Sequence, residues 1–323
     1  MKRRSLLLAG SSLTGLLTHS TTVFSQSYPS KPIRLISPSP PGGGGDISNR
    51  IIAKHLGDLL GQPLVIENRP GGNGVVAAVE ALKAGNDGHA IFIGGTTTLV
   101  ANPFLMKAHP FDPSTAFAPV SLIGTLPFIL VIDPNLPAKN VSELIAYGKT
   151  KNVKLSFASA NATSLVAASK FARMTGIDML HVPYKSAPAS LSDVASGQVS
   201  LSFVDIPSAR GLIQAGKIRV LALTSAGRSS LMPQAPSISE SGLPGYEIIG
   251  WTAMCVTTGT NPAIIQRLSQ ETRKVLARAD VREQLATVGF EAMASTPEEL
   301  GAYIRSERPK WEKMIRDAGI DPE

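Results

Sequence analysis

Short apolar runs alternate along the chain with segments in which apolar residues recur every three or four positions. Runs of three to five mostly apolar residues predict strands at residues 33–37, 64–67, 90–93, 129–132, 155–158, 201–203 and 220–224. Two helical stripes lie between them, formed by Ile47, Ile51, Ile52, Leu56, Leu59 and Leu60 and by Val75, Val79 and Leu82. This alternation predicts an α/β fold with a mostly parallel sheet.

The last long helix has a clear start signal. Thr296 precedes Pro297, and Glu299 follows three positions after the threonine. A threonine N-cap, a proline at the first helical position and a glutamate at the third predict that a helix begins at residue 297. The chain contains no internal repeat, low-complexity tail or long linker, so any two domains must share the chain closely.

The N-terminal segment predicts export. Lys2, Arg3 and Arg4 precede a mostly apolar stretch at residues 5–17, and small residues follow at residues 23–27. This order is typical of a secretory signal peptide, here residues 1–27, which would be removed. A membrane anchor fits less well, because polar residues interrupt the apolar run and it is shorter than the roughly 20 residues that a span needs. General secretion and twin-arginine export both remain open.

Composition limits the partners of the mature chain. Cleavage after residue 27 of the 323 would leave 296 residues, more than one hydrophobic core usually covers, which indicates two lobes. The cleavage would remove three basic residues and lower the formal net charge from +7 to +4. No cluster of basic residues is present, so no nucleic-acid partner is expected, and a mild positive field suits the capture of small anions.

The residues that most often carry catalysis are scattered. Cys255 is the single cysteine and lies in an apolar run, which predicts core packing and no internal disulfide. His55 is expected at an exposed helix position and His181 at the start of a strand, with no metal-ligand spacing between histidines. No Gly-x-Ser-x-Gly nucleophile motif occurs. We therefore predict no catalytic residue, no metal site and no cofactor.

A glycine run follows the first predicted strand. Residues 40–46 read Pro-Pro-Gly-Gly-Gly-Gly-Asp and lead into an amphipathic helix. Glycines allow close approach of a ligand to the backbone, and a helix N-terminus leaves amide groups free for an anion. Asp46, Ile47 and Ser48 stand where a nucleotide-binding loop would need lysine and then serine or threonine, so a nucleoside triphosphate is a poor candidate. The alternative is a flexible turn with Asp46 as the helix N-cap.

Other polar loops also follow strands. Residues 94–98 read Gly-Gly-Thr-Thr-Thr, residues 159–164 read Ser-Ala-Asn-Ala-Thr-Ser, and Asp205 follows the strand at 201–203. Ligands of open α/β sheets bind beyond the carboxyl ends of strands, so these loops should converge on one crevice suited to a carboxylate. Asp46 and Asp205 are more consistent with capping and donor orientation than with catalysis. Tyr184 and Lys185 either reach an anion or form a packed tyrosine under an exposed lysine.

Six segments occur in an order typical of one family: Tyr-Pro-Ser-Lys-Pro-Ile (28–33), Pro-Gly-Gly-Gly-Gly-Asp (41–46), Val-Ile-Glu-Asn-Arg-Pro-Gly (65–71), His-Val-Pro-Tyr-Lys (181–185), Gly-Lys-Ile-Arg-Val-Leu-Ala (216–222) and Gly-Leu-Pro-Gly-Tyr (242–246). From about residue 28 to residue 320 the chain resembles the Bug family, the extracytoplasmic solute receptors of tripartite tricarboxylate transporters. The resemblance implies a type II periplasmic-binding-protein fold, with two α/β lobes and a carboxylate ligand in the cleft between them. Two ordered waters commonly bridge the ligand to the first lobe in that family.

Carried onto this chain, the resemblance implies a discontinuous first lobe at residues 28–125 plus 252–323 and a second lobe at residues 126–251. The crossings would lie near residues 126–128 and 248–251. The implied ligand-binding residues are Gly42, Gly43, Gly44, Gly45, Asp46, Thr96, Thr97 and Thr98 on one wall, and Ser159, Asn161, Thr163, Ser164 and Asp205 on the other. Tyr184 is a further candidate, which the sequence itself suggests.

The chain departs from the family pattern in one of these loops. The family usually has Gly-x-Gly-Ser followed by a histidine, whereas this chain has Asn161, Ala162, Thr163 and Ser164 followed by leucine, and Ser186 replaces a usual glycine. Side chains at these positions fill space and add an amide and a hydroxyl. We expect Asn161 to be the chief polar contact to the distal end of the solute; the alternative is that the loop only caps a helix.

Three function classes remain open at this point. The first is a periplasmic receptor that captures a small carboxylate solute for the membrane permease subunits of a tripartite tricarboxylate transporter. The second is an exported enzyme that acts on a small carboxylate. The third is a ligand-sensing protein whose partner is a membrane sensor kinase.

Overall fold

The computed structural model describes residues 28–322, so the predicted signal peptide lies outside the described residues. The strands are β1 (Ile33–Ser37), β2 (Leu64–Asn68), β3 (Ala90–Gly95), β4 (Phe117–Ile132), β5 (Leu155–Ser159), β6 (Met179–Pro183), β7 (Leu201–Asp205), β8 (Arg219–Leu223), β9 (Ile249–Thr257) and β10 (Glu291–Ala292). The helices are α1 (Gly44–Leu60), α2 (Val75–Lys83), α3 (Asn102–Leu105), α4 (Pro113–Ala116), α5 (Val141–Gly148), α6 (Ala162–Thr175), α7 (Ala187–Ala195), α8 (Ile206–Gln214), α9 (Pro262–Ala277), α10 (Ala279–Thr287) and α11 (Pro297–Asp317). A 3₁₀ turn at Gly72–Gly74 and a π-helical segment at Thr96–Ala101 complete the elements near the cleft described below.

The strands form one mixed sheet in the order β2-β1-β3-β9-β4-β7-β5-β6, with β8 and β10 also paired to β4. Parallel pairs form two groups, β1 with β2 and β3, and β5 with β6 and β7. Every pairing of β4 and β9 is antiparallel. The prediction of a mostly parallel sheet is therefore wrong, because two long antiparallel strands separate the parallel groups.

Strand β4 belongs to both halves of this sheet. Its first part pairs with β9, from Phe117 opposite Thr257 to Pro127 opposite Ile249. From Phe128 onward its partners are β7 and β8. The chain therefore passes from one half of the sheet to the other within a single strand of sixteen residues.

The helices cover both faces of the sheet. In β3, Ile91 and Ile93 pack in one buried cluster and Phe92 in another, as expected for alternate side chains of a strand covered on both faces. Helix α1 packs against α9 and α10. For this reason the prediction that His55 is exposed is wrong: its residue is only 8% exposed, on the covered side of α1.

Two local predictions are confirmed. Cys255 is buried in the core, and burial raises the pKa of its thiol to about 12, which leaves it protonated and inert. Helix α11 begins at Pro297, with Thr296 and Glu299 forming the expected capping box. Between residues 28 and 322, no helix combines the length and apolar character needed to cross a membrane.

Candidate ligand-binding cleft

A cleft of about 810 Å³ lies at the carboxyl ends of six strands. Residues that end β1, β2, β3, β5, β6 and β7 or follow them within two positions line it. The volume lies in the range of pockets that bind small molecules. The predicted convergence of the loops on one crevice is thus seen in the structure.

The N-terminal ends of six helical segments border this cleft. Their capping residues line it: Gly43 of α1, Gly74 of α2, Gly95 of the π-helical segment, Asn161 of α6, Ser186 of α7 and Asp205 of α8. Helix N-termini carry free amide groups and partial positive charge. Their arrangement around one cavity makes it suited to a small anion.

The glycine run forms the first wall of the cleft. Gly43 is the N-cap of α1, and as a glycine it has no side chain to cap the helix. Gly43, Gly44 and Gly45 line the cavity. A methyl group on Gly44 would lie within 3.0 Å of Asp205 Oδ1 and of Pro207 Cβ, on the opposite wall. Glycine at this position is therefore required for the two walls to touch.

Gly42 and Asp46 lie outside the lining of the cleft. Asp46 sits in the first turn of α1 and is not the N-cap, so the capping alternative is wrong for this residue. Its carboxylate accepts hydrogen bonds from Gly42 N at 2.9 Å, Asn68 Nδ2 at 2.9 Å and the Arg50 guanidinium. Burial disfavours its charge, but these bonds outweigh burial and hold its pKa below the ordinary value. Asp46 thus holds the start of the glycine run in place by its bond to Gly42, without lining the cleft itself.

The threonine segment continues the first wall. Thr96 Oγ1 accepts a hydrogen bond from Trp251 N at 2.9 Å, and Thr98 Oγ1 accepts one from Gly95 N at 3.0 Å. Thr97 lines the cleft between them, and no described residue hydrogen-bonds its hydroxyl. Thr96 and Thr98 therefore shape the segment, and Thr97 has its hydroxyl free for a ligand.

The loop after β5 forms part of the second wall. Asn161 Oδ1 accepts from Ser164 N at 2.9 Å, and Ser164 Oγ accepts from Asn161 N at 3.1 Å, which makes a reciprocal cap of α6. Asn161 and Thr163 line the cleft, whereas Ser159 and Ser164 do not. Ser159 Oγ lies 2.7 Å from Nε2 of His181, which is the third residue of β6 and not its first as predicted.

Two further predicted residues complete this wall. The Tyr184 hydroxyl donates to Asp193 Oδ2 at 2.5 Å while the residue lines the cleft. Asp205 ends β7, and its Oδ1 accepts from Ser208 N at 2.9 Å as the N-cap of α8, the capping role expected for it. Burial raises the pKa of the Asp205 carboxyl.

Sequence reasoning missed several parts of the lining, among them the segment after β2. Residues Gly71, Gly72, Asn73 and Gly74 line the cleft with φ angles of 121°, 54°, 49° and 84°. The signal was the Pro-Gly-Gly-Asn-Gly series at residues 70–74, since glycine and asparagine are the residues that tolerate this region. Lys185, for which an anion contact was one of two predicted roles, lines the cleft after β6 together with Ser186, Ala187 and Pro188.

The geometry describes a binding cavity. Across residues 28–322, no group of three or more His, Cys, Asp or Glu side chains could hold a metal ion. The side chains and amides that border the cleft can donate hydrogen bonds to a small anion and exclude water around it.

Comparisons with known proteins agree with this description. Residues 48–320 match the model of the tripartite tricarboxylate transporter family receptor. The chain is 30% identical to protein BugT of Bordetella pertussis over 300 residues, covering 92% of each protein. Its structure is similar to that of an R. palustris protein solved with adipate (TM-score 0.89, 32% identity, 92% of this chain and 100% of that one). It is also similar to MatC of Rhodopseudomonas palustris with bound malate (TM-score 0.82, 27% identity, 89% and 100%).

The mixed α/β periplasmic-binding-protein fold and its cleft define a non-enzymatic solute-binding receptor. The chain belongs to the tripartite tricarboxylate transporter family of receptors, which includes the Bug proteins. The family resemblance read from the sequence is therefore confirmed.

Proposed function

We propose that this receptor captures a small carboxylate in the cleft and delivers it to the permease subunits of a tripartite tricarboxylate transporter. The observation that carries the proposal is the ring of six helical N-termini around one cavity, because an anion is the ligand that such an arrangement favours. Two similar structures, which cover 92% and 89% of this chain, were solved with adipate and with malate. Both ligands are carboxylates, which supports a carboxylate as the ligand of this receptor.

The first wall supplies the carboxylate cradle in this proposal. The Gly45 backbone amide and the Thr97 hydroxyl donate to the ligand, directly or through water, since the amides of Gly43 and Gly44 are already bonded to Pro40 O and Ser208 Oγ. Charge-assisted hydrogen bonds of this kind contribute about 1.5–3 kcal/mol each. The second wall, with Asn161, Thr163 and Tyr184, contacts the rest of the solute.

Ligand capture involves closure of two lobes in this proposal, residues 28–125 plus 252–323 against residues 126–251. The change of partners of β4 between Pro127 and Phe128 supports a crossing there, and β9 begins opposite it at Ile249. Bending at these two strands would open the cleft as a hinge. Small-angle scattering should show compaction on saturation with ligand; an unchanged profile would contradict a hinge.

The proposed site of action is the periplasm, after removal of residues 1–27. The Tyr28 hydroxyl donates to Gly88 O at 2.6 Å, so a mature chain that begins at Tyr28 keeps this contact with the fold. Intact-mass analysis of the exported protein should give an N-terminus near residue 26 or 28. Retention of residues 1–25 in a membrane fraction would contradict it.

Native mass spectrometry of the protein as purified, followed by calorimetry, tests the ligand class. Mono-, di- and tricarboxylates are titrated beside their esters or amides. We expect an acid to bind and its neutral derivative to bind at least about tenfold more weakly, because the amide loses the charge-assisted bonds. Equal affinity for an acid and its amide, or conversion of the ligand, would overturn the proposal.

A further inference from the structure

One acidic side chain lies in the lining of the anion cleft. Within residues 28–322, Asp205 is the single aspartate or glutamate that lines the cavity, and it makes no ion pair there. Its Oδ1 accepts a hydrogen bond from the Ser208 amide at 2.9 Å. An ionised carboxylate in this place repels the anion that the helix N-termini attract. Asp205 therefore opposes the capture of a carboxylate for as long as it is charged.

The Asp205 carboxyl lies where the two walls touch. A methyl group on Gly44 would lie 2.3 Å from Asp205 Oδ1 and 2.7 Å from Pro207 Cβ, so the backbone of the first wall packs directly against the carboxyl. Contact between the walls removes water from this group, and water stabilises its charged form. Burial accordingly raises the pKa of Asp205, although hydrogen bonds from Ser208 favour the charged form.

The elements around Asp205 offer it no compensating cation. Strands β4 and β5 contain no charged residue. The charged and titratable groups on the other elements at this end of the cleft are Asp46 and Arg50 of α1, Asp193 of α7, Arg210 of α8, Glu291 of β10, and Tyr184 and Lys185 after β6. Asp46 pairs with Arg50, and Tyr184 donates to Asp193. Burial and the bonds from Ser208 are thus the causes that act on the pKa of Asp205.

A bound carboxylate would add a second negative charge to this cavity. The cleft has a volume of about 810 Å³, so a ligand that fills it lies against the lining. When two carboxylates share such a site, ionisation of both is unfavourable and the pKa of one of them rises. A proton on Asp205 removes the repulsion, and its Oδ1 can still accept from the Ser208 amide and cap α8.

We propose that Asp205 takes up a proton from water when a carboxylate fills the cleft, so that this receptor captures its solute together with one proton. The inference rests on the proposed carboxylate function and adds a proton to the captured species. The proton bonds to the Asp205 carboxylate, and no other covalent bond forms or breaks. Opening of the cleft at the permease would release the solute and return the proton to water.

Calorimetry in pairs of buffers with different ionisation enthalpies counts the protons taken up on binding. Adipate and malate are titrated in Mes and imidazole at about pH 6.5 and in Hepes and Tris at about pH 7.5. We expect the wild-type protein to take up about 0.3–1 proton per ligand at one or both pH values. Asp205→Asn should take up about 0.1 proton or less, and at the higher pH it should bind the acid about twofold or more tightly than the wild type, because its side chain is always neutral.

Asp112→Asn is the matched control. Asp112 is also an aspartate N-cap, of α4, and its Oδ1 accepts from Ser114 N at 3.0 Å, but it is exposed and lies outside the lining of the cleft. This variant should take up as many protons as the wild type. If Asp205→Asn does not fold, Asp205→Ser replaces it, because serine is also a good N-cap and does not titrate.

The outcomes separate this inference from the proposed function. Binding to the wild-type protein without proton uptake at either pH would overturn the role of Asp205 and leave the carboxylate function standing. Equal uptake in the wild type and in Asp205→Asn would do the same. If neither acid binds, the tightest ligand of the carboxylate panel takes their place. If no acid of the panel binds, the proposed function is wrong and this inference falls with it.

Discussion

The amide of Gly44 donates a hydrogen bond to Ser208 Oγ at 3.3 Å, across 164 positions of the chain. Gly44 begins α1 and Ser208 lies in the first turn of α8, so the bond joins the N-termini of two helices from opposite walls of the cleft. Nearby, Gly289 is packed against Ile206 and Pro207 in the same way, with no room for a side chain. The two walls therefore contact each other at positions where only glycine leaves enough space.

Replacement of Gly44 by alanine should weaken ligand binding while the fold remains. The new methyl group would collide with Asp205 Oδ1 and Pro207, and the walls could then relieve the clash by staying apart. We expect a loss of affinity of about tenfold or more, since an extra carbon in a packed contact costs about 1–3 kcal/mol and about 1.4 kcal/mol corresponds to tenfold in affinity. Calorimetry with the preferred carboxylate measures it.

Gly211→Ala is the control for this prediction. Gly211 lies in α8, and a methyl group there would contact nothing within 4 Å. Alanine should stabilise the protein by about 0.5–1 kcal/mol and leave affinity unchanged. An unaltered affinity in Gly44→Ala would contradict the importance of the contact between the walls.

Asp46→Asn should destabilise the protein at neutral pH. The lowered pKa of Asp46 means that its ionised form stabilises the fold above the ordinary pKa of an aspartate, and that this contribution is lost as the pH falls through the lowered pKa. We expect about 1–3 kcal/mol less stability at pH 7 and a smaller loss on acidification than in the wild type. Urea unfolding at pH 7 and pH 3 measures both.

Asp280→Asn is the control for the loss of stability expected in Asp46→Asn, because it removes a carboxylate from the surface. Asp280 is exposed, and within residues 28–322 its ion-pair partner is Arg278, also on the surface. Its replacement should leave the free energy of unfolding nearly unchanged, because an exposed ion pair contributes little. A pH profile of Asp46→Asn that matches the wild type would rule out the supporting role of Asp46.

Asp205→Asn should change stability at neutral pH in the opposite direction to Asp46→Asn. Burial raises the pKa of Asp205, so its contribution to stability is present below the ordinary pKa and is lost as the pH rises through the raised one. The asparagine variant should therefore be at least as stable as the wild type at pH 7, with the gain disappearing in acid. Its amide oxygen still caps α8, whereas Asp205→Ala should cost about 1 kcal/mol. A clear loss in Asp205→Asn at pH 7 would contradict the raised pKa.

Asn161 tests whether the loop after β5 selects the solute or only caps a helix. Its Oδ1 caps α6, while the residue also lines the cleft. Asn161→Asp keeps the cap but adds negative charge, so it should keep stability and lower carboxylate affinity. Asn161→Gly should cost a few tenths of a kcal/mol in stability. If the order of affinities across the carboxylate panel changes in Asn161→Gly, the loop selects; a uniform small shift would mean that it only caps.

The fold was predictable where a strand is a continuous apolar run. Strand β1 begins and ends where its sequence indicated, and Ile33, Leu35 and Ile36 are fully buried. Strand β9 was not predicted, because Gly250, Trp251 and Thr252 give it no regular alternation. Its position between β3 and β4 depends on pairing across the chain, which local sequence does not contain.

The cleft was predictable where chemistry follows directly from residue type. Glycines and threonines after strands indicated an anion site, and Gly43, Gly44, Gly45 and Thr97 do line the cavity. The role of each residue within a segment was harder to predict from the sequence. Asp46 and Ser164 are as polar as their neighbours, but they bond to the backbone and do not line the cleft. Which polar atom is already satisfied depends on three-dimensional packing.

The position of β9 also sets the order in which the molecule can be assembled. As the chain emerges from the ribosome, β1, β2 and β3 appear early, but the free edge of β3 has no antiparallel partner until residues 252–255 of β9 are made. Pairing between such distant segments is slow, and an unpaired edge strand invites association with other chains. A chain interrupted before β9 therefore cannot complete the half of the sheet that carries the glycine run.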